Sequence, residues 1–229
     1  MLQNLQVNRK SVFNTASNET IGNRKIFGGD PDGMINFTTM KYDWALNLWD
    51  TMEQNTWFPK ECAIGGDAKD YKYLSEPEKR MYDLTLSGLM SMDSIQTNNL
   101  MDNINPYITA PEINACLARQ AYEEANHSKS YAVMVESISE NTDEIYNLWK
   151  TDIVLLKKNQ YLSLVYSQLS GDVTDEKLIL ALFANQILEG IYFHSGFAAM
   201  YSLGKSGKML GSSQMIKFIN NSDFVQKCA

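Results

Sequence analysis

Several stretches of this sequence repeat apolar residues at the spacing of an α-helix, over lengths well beyond the usual helix of about 11–12 residues. We predict helices over residues 42–55, 76–104, 111–138, 142–170 and 174–202, and a last helix that begins near residue 212. No stretch shows sustained alternation with β-branched enrichment, so we predict no sheet. Helices of this length favour an all-α bundle of long helices.

The residues around these helices include recognisable helix caps. Ser75 is followed three residues later by Glu78, which is the pattern of a capping box. Thr174 precedes an apolar run, and a threonine at that place favours an N-cap. These two positions are therefore predicted helix starts.

The start of the chain differs from the rest. Its first forty residues are polar and contain the turn-prone run Gly-Gly-Asp-Pro-Asp-Gly at 28–33. We therefore predict an irregular segment at 1–40 and a partial helical domain at 41–229.

Three acidic residues occupy positions that the helical period assigns to the core. Asp93, Glu124 and Glu189 each share a helix face with apolar residues three, four or seven positions away. A lone carboxylate at such a place is usually a hydrogen-bonded compromise in helix packing. Three are harder to explain in that way, because each unpaired buried charge costs several kcal/mol. A shared multivalent cation would compensate all three.

A histidine joins one of these carboxylates. Glu124 and His127 form an E-x-x-H pair on one helix face, and His127 is one of only 2 histidines in the chain. One carboxylate from each of two helices and an E-x-x-H pair from each of two others is the ligand arrangement of di-iron and di-manganese bundles. We therefore predict Asp93, Glu124, His127 and Glu189 as metal ligands. Glu123 lies on a polar stripe, and we interpret it as exposed.

Composition excludes several other classes of protein. The net charge of −7 disfavours nucleic-acid binding, which needs clustered basic residues. The chain contains no signal peptide and no apolar run of a length typical of a membrane span, so we expect no membrane contact. The 3 cysteines are far apart, which is typical of free thiols in a cytoplasmic protein and not of a zinc site.

The chain resembles the small (beta) subunit of class I ribonucleotide reductase over about residues 43–220. Asp93 lies 31 residues before Glu124 of the E-x-x-H pair, and Glu189 lies 65 residues after Glu124. The motifs, in order, are Trp57-Phe58-Pro59-Lys60-Glu61, Met92-Asp93-Ser94-Ile95-Gln96, Glu124-Ala125-Asn126-His127-Ser128-Lys129-Ser130-Tyr131, Leu188-Glu189-Gly190-Ile191-Tyr192-Phe193 and Met215-Ile216-Lys217-Phe218-Ile219-Asn220.

This resemblance implies a ferritin-like long-helix bundle with a di-metal carboxylate core, and specific roles for individual residues. Asp93, Glu124, His127 and Glu189 match ligands of a dinuclear iron, manganese or mixed manganese–iron site. Tyr131 matches the tyrosine that becomes a stable radical, and it lies one helical turn after His127. The resemblance further implies a radical-shielding pocket and an electron-transfer tryptophan, which match Phe193, Phe197, Ile219 and Trp57.

The resemblance also implies partners and a reaction. The radical would be used by a large (alpha) subunit to reduce ribonucleotides to deoxyribonucleotides for DNA replication, and the small subunit would form a homodimer. The metal cofactor would carry out the oxidation that forms the radical, and the protein would position the cofactor and exclude water.

The sequence departs from the family near its end. A second E-x-x-H pair should follow Asn220, where this chain has Asp223 at the glutamate position and Gln226 at the histidine position. An aspartate could bind metal with a shorter reach, but a glutamine amide is a poor substitute for imidazole. Ser222 replaces the acidic residue that links the metal to the tryptophan.

Three explanations fit this departure. The gene could be interrupted here, a second polypeptide could supply the missing E-x-x-H pair and C-terminal tail, or the chain could be an inactive relative. The abrupt end of the motifs favours the first two. We expect the isolated chain to reduce no nucleotide, even with a large subunit present.

Two other functions stay open at this point. A ferritin-like di-metal oxidase or metal store would share the carboxylates, but it has no need of Tyr131 or Trp57. A non-enzymatic fragment that binds intact subunits without metal is the second alternative. Metal content distinguishes these possibilities.

Overall fold

A computed structural model of the chain describes residues 5–227, with side chains as far as Asp223. Over this range all regular elements are helical and there is no strand, with only two isolated β-bridges. The prediction of an all-α fold is therefore confirmed. The α-helices are α1 (Trp44–Gln54), α2 (Asp67–Tyr73), α3 (Glu76–Asn98), α4 (Pro111–Ile138), α5 (Thr142–Thr151), α6 (Ile153–Ser167), α7 (Asp175–Ile187), α8 (Phe193–Lys205) and α9 (Leu210–Lys227).

Shorter helical segments connect some of these helices. A π-helical segment at Asn99–Ile104 continues α3, and a second one at Leu188–Tyr192 joins α7 to α8. Single 3₁₀ turns lie at Pro59–Glu61 and Asn105–Tyr107. The predicted helices at 76–104 and 174–202 are therefore each composite.

The predicted helix at 142–170 is wrong in one respect, because it is broken at Asp152. This residue has an extended backbone, and its Oδ1 accepts hydrogen bonds from the backbone N–H groups of Val154 (3.0 Å) and Leu155 (3.1 Å). Asp152 therefore ends α5 and caps α6. The prediction also missed α2, whose 7 residues are too few to show a clear helical period.

Both predicted caps are present. The backbone N–H of Ser75 donates to Oε2 of Glu78 (2.8 Å), which is one half of a capping box. Oγ1 of Thr174 accepts from the backbone N–H of Lys177 (3.3 Å) at the start of α7. Each cap satisfies a backbone group that the first helical turn leaves without a partner.

Four helices surround a common interior. α3 packs against α4 and α8, and α9 packs against the same two helices. α8 and α9 form an antiparallel hairpin, in which the Tyr201 hydroxyl donates to the carbonyl of Ile216 (3.4 Å). The largest fully buried rings belong to Tyr82, Tyr131, Phe193 and Phe197, which lie in one core cluster. These four helices therefore determine which side chains meet in the interior.

The described residues before α1 contain no helix and are attached to the helical body. The backbone N–H of Val7 donates to the carbonyl of Val173 (2.8 Å). The buried carboxylate of Glu112 accepts from Arg24 (3.0 Å) and from the backbone N–H of Lys41 (3.0 Å). Because this segment packs on the helices, the domain boundary at residue 40 stays a prediction.

One helical run is unusually apolar. Residues Asp175–Lys205 are long and apolar enough to cross a membrane by length and composition alone. In this fold the run includes α7, a π-helical segment and α8, and α8 packs against both α3 and α9. Only 39% of its most apolar window is buried, and the large apolar residues Leu180, Phe183, Ile187 and Ile191 are 45–65% exposed, so burial alone does not account for this composition.

The start of α9 is held by a buried acidic residue of α2. The carboxylate of Asp67 accepts from the backbone N–H groups of Gly211 (3.0 Å) and Ser212 (2.6 Å), and from the Ser212 hydroxyl (2.5 Å). A negative charge at a helix N-terminus is favourable, and here it replaces missing intrahelical bonds. Asp67 therefore fixes the position of α9.

We expect Asp67→Ala to lower the free energy of unfolding by about 3 kcal/mol, because hydrogen bonds to a charged group are worth about 1.5–3 kcal/mol each. Chemical denaturation measures this loss. The control is Asp43→Ala, since Asp43 is exposed and makes no capping hydrogen bond. Equal stability of the two variants would show that Asp67 does not hold α9.

Candidate metal centre

The three carboxylates predicted to face the core are buried, and a fourth joins them. Asp93 lies on α3, Glu124 on α4, Glu189 in the π-helical segment after α7, and Asp223 on α9. Each is at most 2% exposed. His127, on α4, is fully buried. Three of the four helices around the interior, α3, α4 and α9, therefore contribute a group that can bind a metal, and Glu189 adds one from the segment that leads into α8.

Three of these residues form one compact group. Asp93, Glu124 and His127 each offer a ligand atom, and these atoms lie within 4.8 Å of one another. His127 Nδ1 is 3.4 Å from Glu124 Oε2 and 3.5 Å from Asp223 Oδ1. The structure thus brings Asp223 beside the predicted E-x-x-H pair. The side chain of Gln226 lies outside the described residues, as does Cys228.

Glu189 is oriented by an amide. Nε2 of the fully buried Gln96, on α3, donates to Glu189 Oε1 (2.7 Å) and also to Oδ1 of Asn185, one turn before Glu189. Glu189 also lies within a π-helical turn, a feature that often occurs at functional sites. Its charge contributes to raising the pKa of Asp93, so the two carboxylates act on each other.

The hydrogen bonds of His127 indicate which ring nitrogen is available. The Ser222 hydroxyl lies 2.7 Å from Nε2 of His127 and 2.8 Å from the carbonyl of Ile219, and the tautomer with the proton on Nε2 satisfies both contacts. Nδ1 then carries the lone pair, and this nitrogen faces Glu124 and Asp223. A neutral imidazole with a fixed tautomer is the form that binds metals.

The electrostatics of the cluster are unfavourable without a cation. Burial raises the pKa of Asp93 well above its ordinary value, and the charges of Glu124 and Asp223 raise it further. Burial lowers the pKa of His127, although Asp223 opposes this shift. The protein thus holds several acceptors together where water cannot solvate them, and the structure must compensate them with protons or a positive ion.

The donor atoms fit iron or manganese. Carboxylate oxygens and one imidazole nitrogen are the ligands that these ions favour, whereas zinc structural sites and iron–sulfur clusters use thiolates. Cys62 and Cys116 are free and buried elsewhere, which agrees with the predicted free thiols. Among the described residues, the group that could hold a metal contains no cysteine.

Tyr131 is fully buried one turn after His127 on α4. Burial raises the pKa of its phenol well above the ordinary value, and the nearby charge of Asp93 raises it further. The predicted pocket residues Phe193, Phe197 and Ile219 are at most 1% exposed and belong to the same core cluster as Tyr131. The phenol is therefore next to the carboxylates and shielded from water.

The ring of Trp57 packs against the ring of His127. Its ring is stacked on His127, with ring centroids 6.3 Å apart and planes at 20°, and on Phe218, with centroids 5.3 Å apart. Asn126 donates to the Trp57 carbonyl (3.2 Å) and holds the segment against α4. The structure thus brings the predicted tryptophan to the cluster.

Two further residues complete the comparison with prediction. Glu123 is buried, not exposed as predicted, because it forms an ion pair with Arg119, which also bonds to the Met52 carbonyl (3.2 Å). His194, the other histidine, has Nδ1 3.2 Å from the Glu189 carbonyl and its ring against Phe197. Neither belongs to the compact ligand group.

Sequence reasoning missed the role of Gln96. A signal existed, since Gln96 is three residues after Asp93 and therefore lies on nearly the same helix face. A polar amide on an apolar stripe can be identified in the same way as a carboxylate. The π-helical turn at Glu189 had no comparable signal.

A bundle of long helices whose interior collects carboxylates from several helices and an E-x-x-H pair has the architecture of the di-metal carboxylate proteins. The sequence profile described as "Ribonucleotide reductase, small chain" matches residues 34–225 of this chain. The chain therefore belongs to the ribonucleotide reductase small-chain family.

Individual relatives agree with this assignment. The chain is 41% identical to a ribonucleoside-diphosphate reductase subunit beta of Treponema pallidum, over 94% of this chain and 62% of the relative. It is 38% identical to the subunit beta of Aquifex aeolicus, over 94% of this chain and 31% of the relative. The chain thus spans less than two thirds of the length of these curated relatives.

Solved structures have the same fold. The ribonucleotide reductase R2 subunit from Clostridium botulinum superposes with a TM-score of 0.93 at 31% identity, over 98% of this chain and 70% of that one. An R2-like ligand-binding oxidase with a Mn/Fe cofactor superposes with a TM-score of 0.67 at 18% identity, over 82% of this chain and 72% of that one. The second likeness concerns the fold alone.

Proposed function

We propose that this chain forms a dinuclear metal centre of a class I ribonucleotide reductase small subunit. Asp93, Glu124, His127 and Glu189 would hold two iron ions, two manganese ions or one of each, and Asp223 would be a further ligand. The observation that carries this proposal is the convergence of buried carboxylates and the Nδ1 lone pair on one point. Membership of the family supports it.

When bound, the metal pair would supply the oxidising power for a one-electron oxidation of a nearby phenol. Tyr131 would lose that electron, and its phenolic proton would pass to the carboxylate of Asp93. Gln96 would keep Glu189 in one orientation, and the buried rings of Phe193 and Phe197 would exclude water from the radical.

The oxidising equivalent would leave through Trp57, whose ring is stacked on His127. We propose a large (alpha) subunit as the recipient, where ribonucleotides would be reduced to deoxyribonucleotides. The small subunit would act in the cytoplasm as a homodimer.

A ferritin-like oxidase or metal store would use the same carboxylates. Tyr131 lies one helical turn after His127, and the ring of Trp57 is stacked on His127. These two placements favour the reductase, because a metal store needs neither ring. A metal-free regulatory fragment is disfavoured by the cost of burying several carboxylates without a cation.

Metal binding by the chain tests this proposal. We expect the metal-free protein to take up Mn²⁺ at the cluster, and His127→Gln to weaken uptake at least about tenfold, since even residues that only orient a ligand change affinity about 10–100-fold. Electron paramagnetic resonance of free Mn²⁺ measures the uptake. His194→Gln, which changes the only other histidine, is the control. Equal uptake by the two variants would contradict the proposed centre.

A further inference from the structure

A second group of buried polar atoms lies on the side of α4 that Trp57 covers. Nε1 of Trp57, Oε2 of Glu123 and Nε of Arg119 are each buried, and none of them has a hydrogen-bond partner among the described residues. Trp57 is 4% exposed and Glu123 2%. Burying a polar atom without a partner costs free energy, and buried polar atoms in folded proteins are therefore bonded to protein or to bound water.

Hydrogen bonds to α4 show that these three groups are neighbours. The segment after α1 runs along α4, because Nη2 of Arg119 donates to Oγ1 of Thr56 (2.7 Å) and Nδ2 of Asn126 donates to the carbonyl of Trp57 (3.2 Å). Glu123 lies between these two anchors, about one turn after Arg119 and one turn before Asn126. The other oxygen of Glu123, Oε1, pairs with Arg119.

The imidazole of His127 gives a second measure of how close Glu123 is to Trp57. Burial lowers the pKa of His127, and the charges of Asp223 and Glu123 oppose this shift. Glu123 therefore lies within electrostatic range of the ring on which Trp57 is stacked. Two separate contacts of α4 thus place the carboxylate beside the tryptophan.

The stacked neighbours of Trp57 cannot accept its N–H group. This bond lies in the plane of the indole, whereas His127 and Phe218 lie over the faces of the ring, with planes tilted by 20°. The hydroxyl of Ser222, on α9, is already in contact with His127 and with the carbonyl of Ile219. An acceptor for the indole must therefore lie at the edge of the ring.

A single water molecule would satisfy all three groups. It would accept hydrogen bonds from Nε1–H of Trp57 and Nε–H of Arg119, and it would donate one to Oε2 of Glu123. Buried water molecules typically make about three hydrogen bonds of this kind. The two donors and one acceptor that remain beside Trp57 match this requirement.

We propose that Glu123 is the hydrogen-bond partner of the Trp57 indole, through one bound water, and holds this ring in place on His127. Its role in electron transfer rests on the proposed function. When Trp57 gives an electron to the oxidised metal pair, its N–H group becomes a stronger donor. The same hydrogen bonds would then stabilise the oxidised ring. Glu123 is thus a positioning residue and not a metal ligand.

Nuclear magnetic resonance of the ¹⁵N-labelled chain in EDTA tests this proposal without metal. The 4 tryptophans give four indole N–H signals, and Trp57→Phe identifies the signal of Trp57. We expect Glu123→Gln to shift this signal upfield, because hydrogen bonds to an ionised group are about twice as strong as those to a neutral one. The other three signals should stay in place.

Glu112→Gln is the matched control, because Glu112 is also a buried carboxylate of α4 and pairs with Arg24 (3.0 Å). An unmoved Trp57 signal in Glu123→Gln, or equal shifts in both variants, would overturn the proposal.

A crystal structure of the unchanged chain decides the matter if Glu123→Gln does not fold. We expect a water within about 3.2 Å of both Nε1 of Trp57 and Oε2 of Glu123, and its absence would overturn the proposal. Failure of Mn²⁺ uptake would contradict the metal centre and leave both of these results unchanged.

Discussion

The Glu124→Gln variant is expected to bind Mn²⁺ at least about 100-fold more weakly than the unchanged chain, since a lost ligand should cost at least as much as a lost orienting contact. The same variant should unfold at a higher temperature when it is free of metal. Its side chain keeps its size, but one of the mutually repelling charges is removed. Calorimetric unfolding in EDTA and Mn²⁺ titration measure the two effects.

The gain in stability of Glu124→Gln should depend on pH, because the protonation of Asp93 depends on pH. Its pKa in the folded protein is raised by burial and by Glu124, so the folded state holds a proton that the unfolded state releases. The stability contributed by this protonation is complete below the ordinary pKa of 3.8 and is lost as pH rises through the raised value. The advantage of Glu124→Gln should therefore increase with pH.

Glu123→Gln provides the contrast, because Glu123 is a neighbouring buried carboxylate that pairs with Arg119. Removing one member of a buried ion pair is destabilising. This variant should lose stability and retain Mn²⁺ affinity. If both glutamine variants change stability in the same direction, repulsion among the buried carboxylates does not limit the stability of the metal-free protein.

The Tyr131→Phe variant should lose the whole tyrosyl radical signal after reconstitution with Fe²⁺ and oxygen, while its metal content stays unchanged. Phenylalanine fills the same space but has no phenol to oxidise. Tyr166→Phe is the control, since Tyr166 is also buried and lies near Glu189. Electron paramagnetic resonance records the signal.

A signal that persists in Tyr131→Phe would assign the radical to another residue. A signal lost only in Tyr166→Phe would assign the radical to Tyr166, the tyrosine near Glu189. Loss in both variants, with metal retained, would show that the phenols are needed for the centre to react and not specifically as the radical site.

Much of the fold could be predicted because it depends on local periodicity. Apolar spacing gave the bounds of α4 without error, and the inward face of Asp93 and Glu189 followed from the same rule. The position of Asp223 could be predicted only from the register of the family motif. Its approach to His127 depends on the packing of α9 on α4, which no local pattern specifies.

The burial of Glu123 shows where this reasoning fails. Its neighbours on the helix are polar, and a polar stripe is usually solvated. In the fold, the segment after α1 covers that stripe, and Arg119 reaches both Glu123 and Thr56. A contact between segments that are more than sixty residues apart in sequence overrides the helical pattern.

The amide of Gln96 has a consequence for how the site responds to its surroundings. An amide does not titrate, so Gln96 stays a hydrogen-bond donor to Glu189 whether or not that carboxyl carries a proton, and the bond is stronger when Glu189 is ionised. Any rearrangement in which Glu189 swings toward a bound ion must first break this bond. The side of the centre next to α7 is thus held by a fixed restraint, whereas the opposite side, with Asp93, can respond to the proton concentration.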